Sequence, residues 1–375
     1  REEYRPLAKK VSKIFFVLYS MNSVNKMYEF SLKGYMKLFY NSLKISKDKG
    51  MSSNESSEER IKTINRVHLE RTLHFSTQSL FEDHRLLFAL QLCITNILAE
   101  EEEERKNLES TGMMKKLIKD ENNAHYFFSL EEFKILLYDD LDNIDTKGFH
   151  KPVWISDDNS WKFIISLENK IPDFKGIVSS FIHNSSDWNK WYERKDIENE
   201  PLPIEWEAKC KGDKNLRKLL FIKYLRPDKF TNALKNYIYT NLRINEAKES
   251  LVDFKEILKE LESYKPLLII HGNGVDPSET LKKLWDSEES KREEAEKTAE
   301  HLKDKDSPLK KEEKDRQQRE LESKIKDKKK EKRFFLSTLN QDQLTYTLNE
   351  IEEGAKIGGW IYLANTHLTL KNIPV

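Results

Sequence analysis

The stretch Pro266-Leu267-Leu268-Ile269-Ile270-His271-Gly272-Asn273-Gly274-Val275-Asp276-Pro277-Ser278-Glu279-Thr280-Leu281 constrains the fold more than any other part of the chain. A short apolar run, a glycine turn and a helix start follow one another, which is the order of a nucleotide-binding core. An apolar run of this length predicts a buried parallel strand. Gly272 and Gly274 permit the turn that carries a strand into a helix. The phosphate chemistry, however, is missing. A working P-loop, G-x-x-x-x-G-K-[ST], supplies backbone N–H groups, a lysine for the β and γ oxygens and a hydroxyl for the metal. No Lys or Arg stands between His271 and Leu281. Asp276, then Pro277, then Glu279 three residues after Asp276, is the pattern of a capped helix start with a capping box. The helix end that would attract an anion is filled by the chain's own carboxylates. Gly272, Asn273, Gly274, Val275, Asp276 and Pro277 are therefore expected to form a degenerate loop without nucleotide.

The residues that follow complete an alternating pattern. Residues 286–333 are almost all Lys, Arg, Glu and Asp, with Pro308 in their midst. They form a charged insertion, either two exposed helices hinged at Pro308 or disorder, and a partner-binding arm is the functional alternative. Phe334 to Leu339 resumes as a strand. Asp342 to Ile357 is a helix with Leu344, Leu348, Ile351 and Ala355 on one stripe, ended by Gly358-Gly359. Trp360 to Asn365 is a third strand. Strand, helix, strand, helix, strand predicts a parallel sheet with right-handed crossovers. In a nucleoside triphosphatase of this layout the third strand would end in an acidic pair; here it ends Ala364-Asn365. With neither the loop lysine nor the strand-end acid, no catalytic residue and no bound cofactor are expected. His271 and His367 flank the ends of the first and third strands, but two histidines without a further ligand read as a polar cap, not a metal site.

The chain before Pro266 reads as helical. Aromatics and methionines at Met27, Phe30, Leu32, Tyr35, Met36, Leu38 and Phe39 fit core packing on a helix. Ser79-Leu80-Phe81-Glu82 and Ser129-Leu130-Glu131-Glu132 are capping boxes that predict helix starts. The Glu100–Glu104 run fits a solvated face. Trp154, Trp161, Trp188, Trp191 and Trp206 fit a tryptophan-anchored helical layer better than a base-stacking platform. Charge supports that choice: Lys+Arg and Asp+Glu are 65 each among 375 residues, where a generic nucleic-acid binder would be basic. Arg226, before Pro227, should be non-helical and bridge to a carboxylate. The two cysteines, Cys93 and Cys210, fit a reduced intracellular protein. No apolar run approaches the length of a membrane span. The start at Arg1 and the stop just past an apolar strand read as a piece of something longer.

Seven of these stretches together resemble the dynein heavy chain, the AAA+ microtubule motor. They are Tyr4-Arg5-Pro6-Leu7-Ala8 with Phe15-Phe16-Val17-Leu18; Met27-Tyr28-Glu29-Phe30-Ser31-Leu32; Leu80 to Leu86; Leu202-Pro203-Ile204-Glu205-Trp206; Leu225-Arg226-Pro227-Asp228-Lys229; Gly274-Val275-Asp276-Pro277; and Gly359 to Leu368. The resemblance implies a mainly α fold with a partial α/β parallel sheet. Residues 1–140 look like the small helical subdomain of the fifth AAA+ module. Residues 141–262 look like the helical, Trp-rich lead-in of the sixth, and 263–375 like its degenerate, truncated P-loop core. In this family the sixth module is structural and holds no nucleotide, while ATP and magnesium act elsewhere in the ring. The implied partners are neighbouring modules, other dynein chains and, through the whole motor, microtubules, with neither nucleic acid nor membrane. The implied location is the cytoplasm and cytoskeleton, with the cilium or axoneme favoured. The competing reading from the residues alone is a stand-alone helical adaptor that displays the charged arm.

Overall fold

In the computed structural model, the described residues are 2–48, 56–110, 128–138, 144–146, 148–203, 213–244, 254–261, 265–272, 274–304, 333–339 and 344–368, with positions 141 and 206. They fall into two compact units, residues 1–251 and 252–375.

The first unit is all helix. Its elements are α1 (Arg5–Ser20), α2 (Leu32–Asp48), α3 (Ser57–Ser79), α4 (Glu82–Ser110), α5 (Leu130–Leu137), α6 (Asp158–Lys170), α7 (Ile177–His183), α8 (Ser185–Tyr192), α9 (Lys214–Leu225) and α10 (Pro227–Leu242). One hydrophobic core runs from Leu7 on α1 to Leu242 on α10. Local chemistry sets the helix starts. Ser56 and Glu59 form a reciprocal capping box at α3, Ser129 accepts the Glu132 amide at α5, and Asp213 accepts the Asn215 and Leu216 amides at α9. Arg226 sits outside the helical region at φ −135°, ψ 65°, between α9 and α10, as the proline after it requires. Its guanidinium grips Asp228 in a two-point pair and donates to the Tyr192 carbonyl.

Two expectations fail in this unit, at Ser79 and in the first aromatic–methionine segment. Ser79 does not open a helix. It is the last residue of α3 and its hydroxyl turns back to the Phe75 carbonyl, while α4 begins at Glu82 after an extended Leu80. The acidic run on α4 is an exposed face, as read, and it also carries ion pairs to α1. Glu102 accepts Lys13 at 2.6 Å, and Glu103 and Glu100 lie 3.3 and 4.0 Å from Lys10, so α1 and α4 are zipped by charge. The first aromatic–methionine segment is only half core. Tyr35 and Leu38 are buried, yet Met27, Leu32 and Met36 are exposed.

The tryptophans are core, as read. Trp161, Trp188, Trp191 and Trp206 are buried. Trp188 and Trp206 both donate their indole N–H to Ser180 Oγ, at 3.1 and 2.8 Å. The Phe181 ring stacks on Trp188 with centroids 4.0 Å apart.

The second unit holds α11 (Phe254–Glu260), α12 (Ser278–Asp304), β1 (Phe334–Thr338), α13 (Leu344–Ile357) and β2 (Trp360–Ala364). β1 and β2 pair in parallel, Phe334 opposite Trp360 through Thr338 opposite Ala364. Among the described residues the expected three-stranded sheet is thus two-stranded. Pro266–Ile270 belongs to no ladder, and its Leu268 and Ile270 are 71% and 58% exposed. A buried parallel strand needs a paired neighbour and cover on both faces; among the described residues this run has no paired neighbour, and only Leu267 and Ile269 are half-buried. α13 packs on the sheet through Thr347 and Gly354, not the expected Leu348 and Ala355, both of which face solvent. A Cβ at Gly354 would lie 2.7 Å from Ile361 Cγ1, so only glycine allows this close approach. Gly358 ends the helix at φ +74°. α12 is one helix from Ser278 through the first charged residues to Asp304; the predicted hinge at Pro308 lies outside the described residues.

Candidate functional site

The glycine turn forms as a compact loop before α12. Gly274 holds φ +83°, a conformation L side chains rarely adopt. Val275 N–H reaches the Gly272 carbonyl at 3.4 Å, and Leu281 N–H bonds the Pro277 carbonyl at 3.0 Å to start the helix. Asn273 lies outside the described residues. The free amide at the helix entrance does not point at open solvent. Ser278 N–H donates to Asp276 Oδ1 at 2.9 Å. The Ser278 amide and hydroxyl hold the Asp276 carboxyl below its usual range, with a smaller contribution from His271. The Glu279 carboxylate lies 4.0 Å from Lys283, one turn along.

The strand end is equally short of charge. Ala364 accepts the Leu339 amide at 3.1 Å, which closes the sheet. Asn365 turns the chain at φ +57°, a left-handed position that Asn tolerates better than most residues. His367 follows in the 3₁₀ turn Thr366–Leu368, and His271 Nδ1 lies 3.1 Å from the Gly272 carbonyl. Among the described residues no group of three His, Cys, Asp or Glu side chains is placed to hold a metal.

The structure adds one neighbour that sequence reasoning missed. Tyr362, in the middle of β2, has its phenol pushed up first by burial and then by the Asp276 carboxylate. The loop's acid therefore lies within electrostatic reach of the strand. No spacing in the sequence links these two residues.

Two further polar clusters lie in the helical unit. Arg217 on α9 binds Glu132 on α5 and Asp173 in the turn Pro172–Phe174, with Nη2–Oε1 2.7 Å and Nη1–Oδ2 2.8 Å. Tyr35 on α2 donates to the Val11 carbonyl at 2.7 Å and lies 2.8 Å from His68 Nε2 on α3. Both clusters are buried and tie helices together.

The chain matches no protein-family model. It aligns over 371 residues, 99% of its length, at 29% identity with the dynein-1-beta heavy chain of the flagellar inner arm I1 complex of Chlamydomonas reinhardtii. The chain is a relative of the dynein heavy chains. Human dynein axonemal heavy chain 2 matches it at 29% identity over 375 residues. Cytoplasmic dynein 2 heavy chain 1 of Rattus norvegicus matches at 23% over 379 residues. The chain spans about 7% of the length of each of these dynein heavy chains. Dynein heavy chains of axonemal and cytoplasmic type thus share this whole segment, which bears out the resemblance read from the residues.

Proposed function

We propose that the chain is a structural, nucleotide-free segment of a dynein motor ring that passes conformational change between its neighbours. The observation that carries this reading is the collinear match of the whole chain to one segment of dynein heavy chains. Residues 1–140 would be the small helical subdomain of the fifth AAA+ module, and 141–262 and 263–375 the lead-in and degenerate core of the sixth. The chemistry of the loop supports the nucleotide-free part. A phosphate site needs a cation and free amides. Gly272–Pro277 offers no cation, and the Ser278 amide is taken by Asp276. Ala364-Asn365 offers no carboxylate for magnesium.

The role is then mechanical. A helical unit with one continuous core moves as a body, and its neighbours sense displacement at its surfaces. ATP and magnesium would be bound elsewhere in the parent chain. Microtubules and other dynein chains would be engaged through the whole motor, in the cytoskeleton and, for an axonemal type, the cilium.

Titrating the 375-residue chain with a fluorescent ATP analogue and magnesium tests the dead-site claim. The expected result is no saturable signal through the millimolar range. Micromolar, magnesium-dependent binding would overturn it.

A further inference from the structure

We propose that the exposed aromatic and methionine face of α1, α2 and their connection is a docking face for an acidic amphipathic helix from another part of the same heavy chain. This rests on the reading that the chain is one segment of a longer motor polypeptide.

Phe16 and Tyr19 on α1 are each 65% exposed. Val24 and Met27 in the connection, and Leu32, Met36 and Tyr40 on α2, are exposed as well. Single exposed apolar residues are ordinary, but a run of this size along two successive helices and their connection marks an interaction surface. The pieces are continuous. The Phe15 ring meets Phe16 at 5.9 Å, Tyr19 at 6.4 Å and Tyr35 at 5.4 Å, so it joins the α1 side to α2. Leu32, Met36 and Tyr40 recur every four residues and form one ridge along α2, the form that fits the groove of a partner helix.

The face is preorganised. Beneath it Tyr35 donates to the Val11 carbonyl of α1 and contacts His68 of α3, which fixes the two helices. Little ordering remains to be done on docking.

Charge selects the occupant. Lys26, Lys33, Lys37 and Lys44 are exposed around the ridge, and Glu29 is the one acidic residue between Met21 and Lys47. On α1, Lys9 adds to this charge, whereas Lys10 and Lys13 are paired with Glu100, Glu103 and Glu102 of α4. A second copy of this face would bring like charges together. An acid-flanked helix would complement it. A membrane or a nucleic acid also favours basic and aromatic residues, but the ridge geometry favours a helix. The occupant has room to come from the same polypeptide, because the matched segment is only 7% of each relative.

Hydroxyl-radical footprinting of Phe16, Tyr19, Met27, Met36 and Tyr40 tests the proposal. These side chains should react freely in the 375-residue chain and be protected about tenfold in the full heavy chain that contains it. A zero-length carbodiimide cross-link should join Lys33 or Lys44 to an acidic residue outside residues 1–375. The double variant Met36→Glu, Tyr40→Glu should leave the thermal midpoint of the 375-residue chain in place and abolish both signals in the heavy chain. Equal reactivity in the two contexts sinks the docking face alone. Protection that appears only with phosphatidylserine vesicles or single-stranded RNA replaces the helix by another partner. A reading frame that ends at these residues sinks the functional reading and the docking face with it.

Discussion

Arg217 on α9 and Glu132 on α5, 85 residues apart, form a buried two-point ion pair. Asp173 completes the arrangement from the other side, and the guanidinium lies 5.5 Å from the centre of the Phe174 ring. Removing one partner leaves a buried charge without compensation, which costs about 3–5 kcal/mol. Arg217→Met is expected to lower stability by that amount in urea or thermal unfolding. Arg217→Met combined with Glu132→Leu should recover a large part of it, because the one carboxylate left without Arg217 is then Asp173, which is partly exposed to water. A double variant as unstable as the sum of its singles would count against the pair.

Ser180 sets up a second test. One hydroxyl oxygen accepts both indole N–H groups of Trp188 and Trp206, and both rings are buried. Ser180→Ala removes a small side chain and takes away the oxygen that both indoles share. Each buried unsatisfied donor costs about 1–3 kcal/mol, so the loss should exceed that of a typical surface Ser→Ala change several-fold. Ser180→Thr keeps the oxygen and separates the hydrogen-bond effect from packing. Tryptophan fluorescence during unfolding reports both.

Local signals in the sequence predicted local structure well. Ser129 capped its helix, Arg226 broke one before proline, Gly358 ended one, and both apolar runs that pair, 334–338 and 360–364, became strands. Each of these depends on a few adjacent residues. Failures came where a partner lies far along the chain. Glu132 satisfies a capping pattern in sequence, but in space its carboxylate belongs to Arg217. The exposed glutamates of α4 gave no sign of Lys13, 89 residues earlier, which stands beside Glu102. Ser79 misled because S-x-x-E describes the spacing equally well at a helix end. At the candidate site the glycine turn and the helix start after Pro277 were legible, whereas the influence of Asp276 on Tyr362 was not.

Gly354 offers a prediction confined to the second unit. An added Cβ would meet Ile361 Cγ1 at 2.7 Å, Ile361 Cδ1 at 2.8 Å and Phe335 Cε2 at 3.2 Å. Overpacking of this kind costs about 1–3 kcal/mol. Gly354→Ala should therefore speed hydrogen exchange of the β1 and β2 amides. Ile361→Val removes the Cδ1 methyl from the contact, so adding it should restore part of the protection. If Gly354→Ala protects the strands as well as glycine does, α13 does not pack on them through this position.

His68 predicts a pH dependence. The imidazole is fully buried, and burial pulls its pKa down from 6.5 to about 4. Four contacts surround it: Tyr35 to Val11, Tyr35 to His68, Ser42 to Leu38 and Ser42 to His68. Tyr35, Ser42 and a neutral ring supply three protons for those four contacts. An imidazolium would supply the fourth, but desolvation of its charge outweighs one hydrogen bond between neutral groups. The fold therefore holds the neutral ring, while the unfolded chain takes up a proton near pH 6.5. The contribution of His68 is fully present above pH 6.5 and declines as pH falls, until the folded state also protonates near pH 4. The loss across that window is at most about 3 kcal/mol, from 1.36 kcal/mol per unit of pKa difference. His68→Gln should be less stable at pH 7, since it loses ring packing against Phe39 and Tyr35. It should also flatten the stability curve between pH 6.5 and 4 in urea titrations. If the variant keeps the slope of the parent chain, the acid sensitivity belongs to other groups.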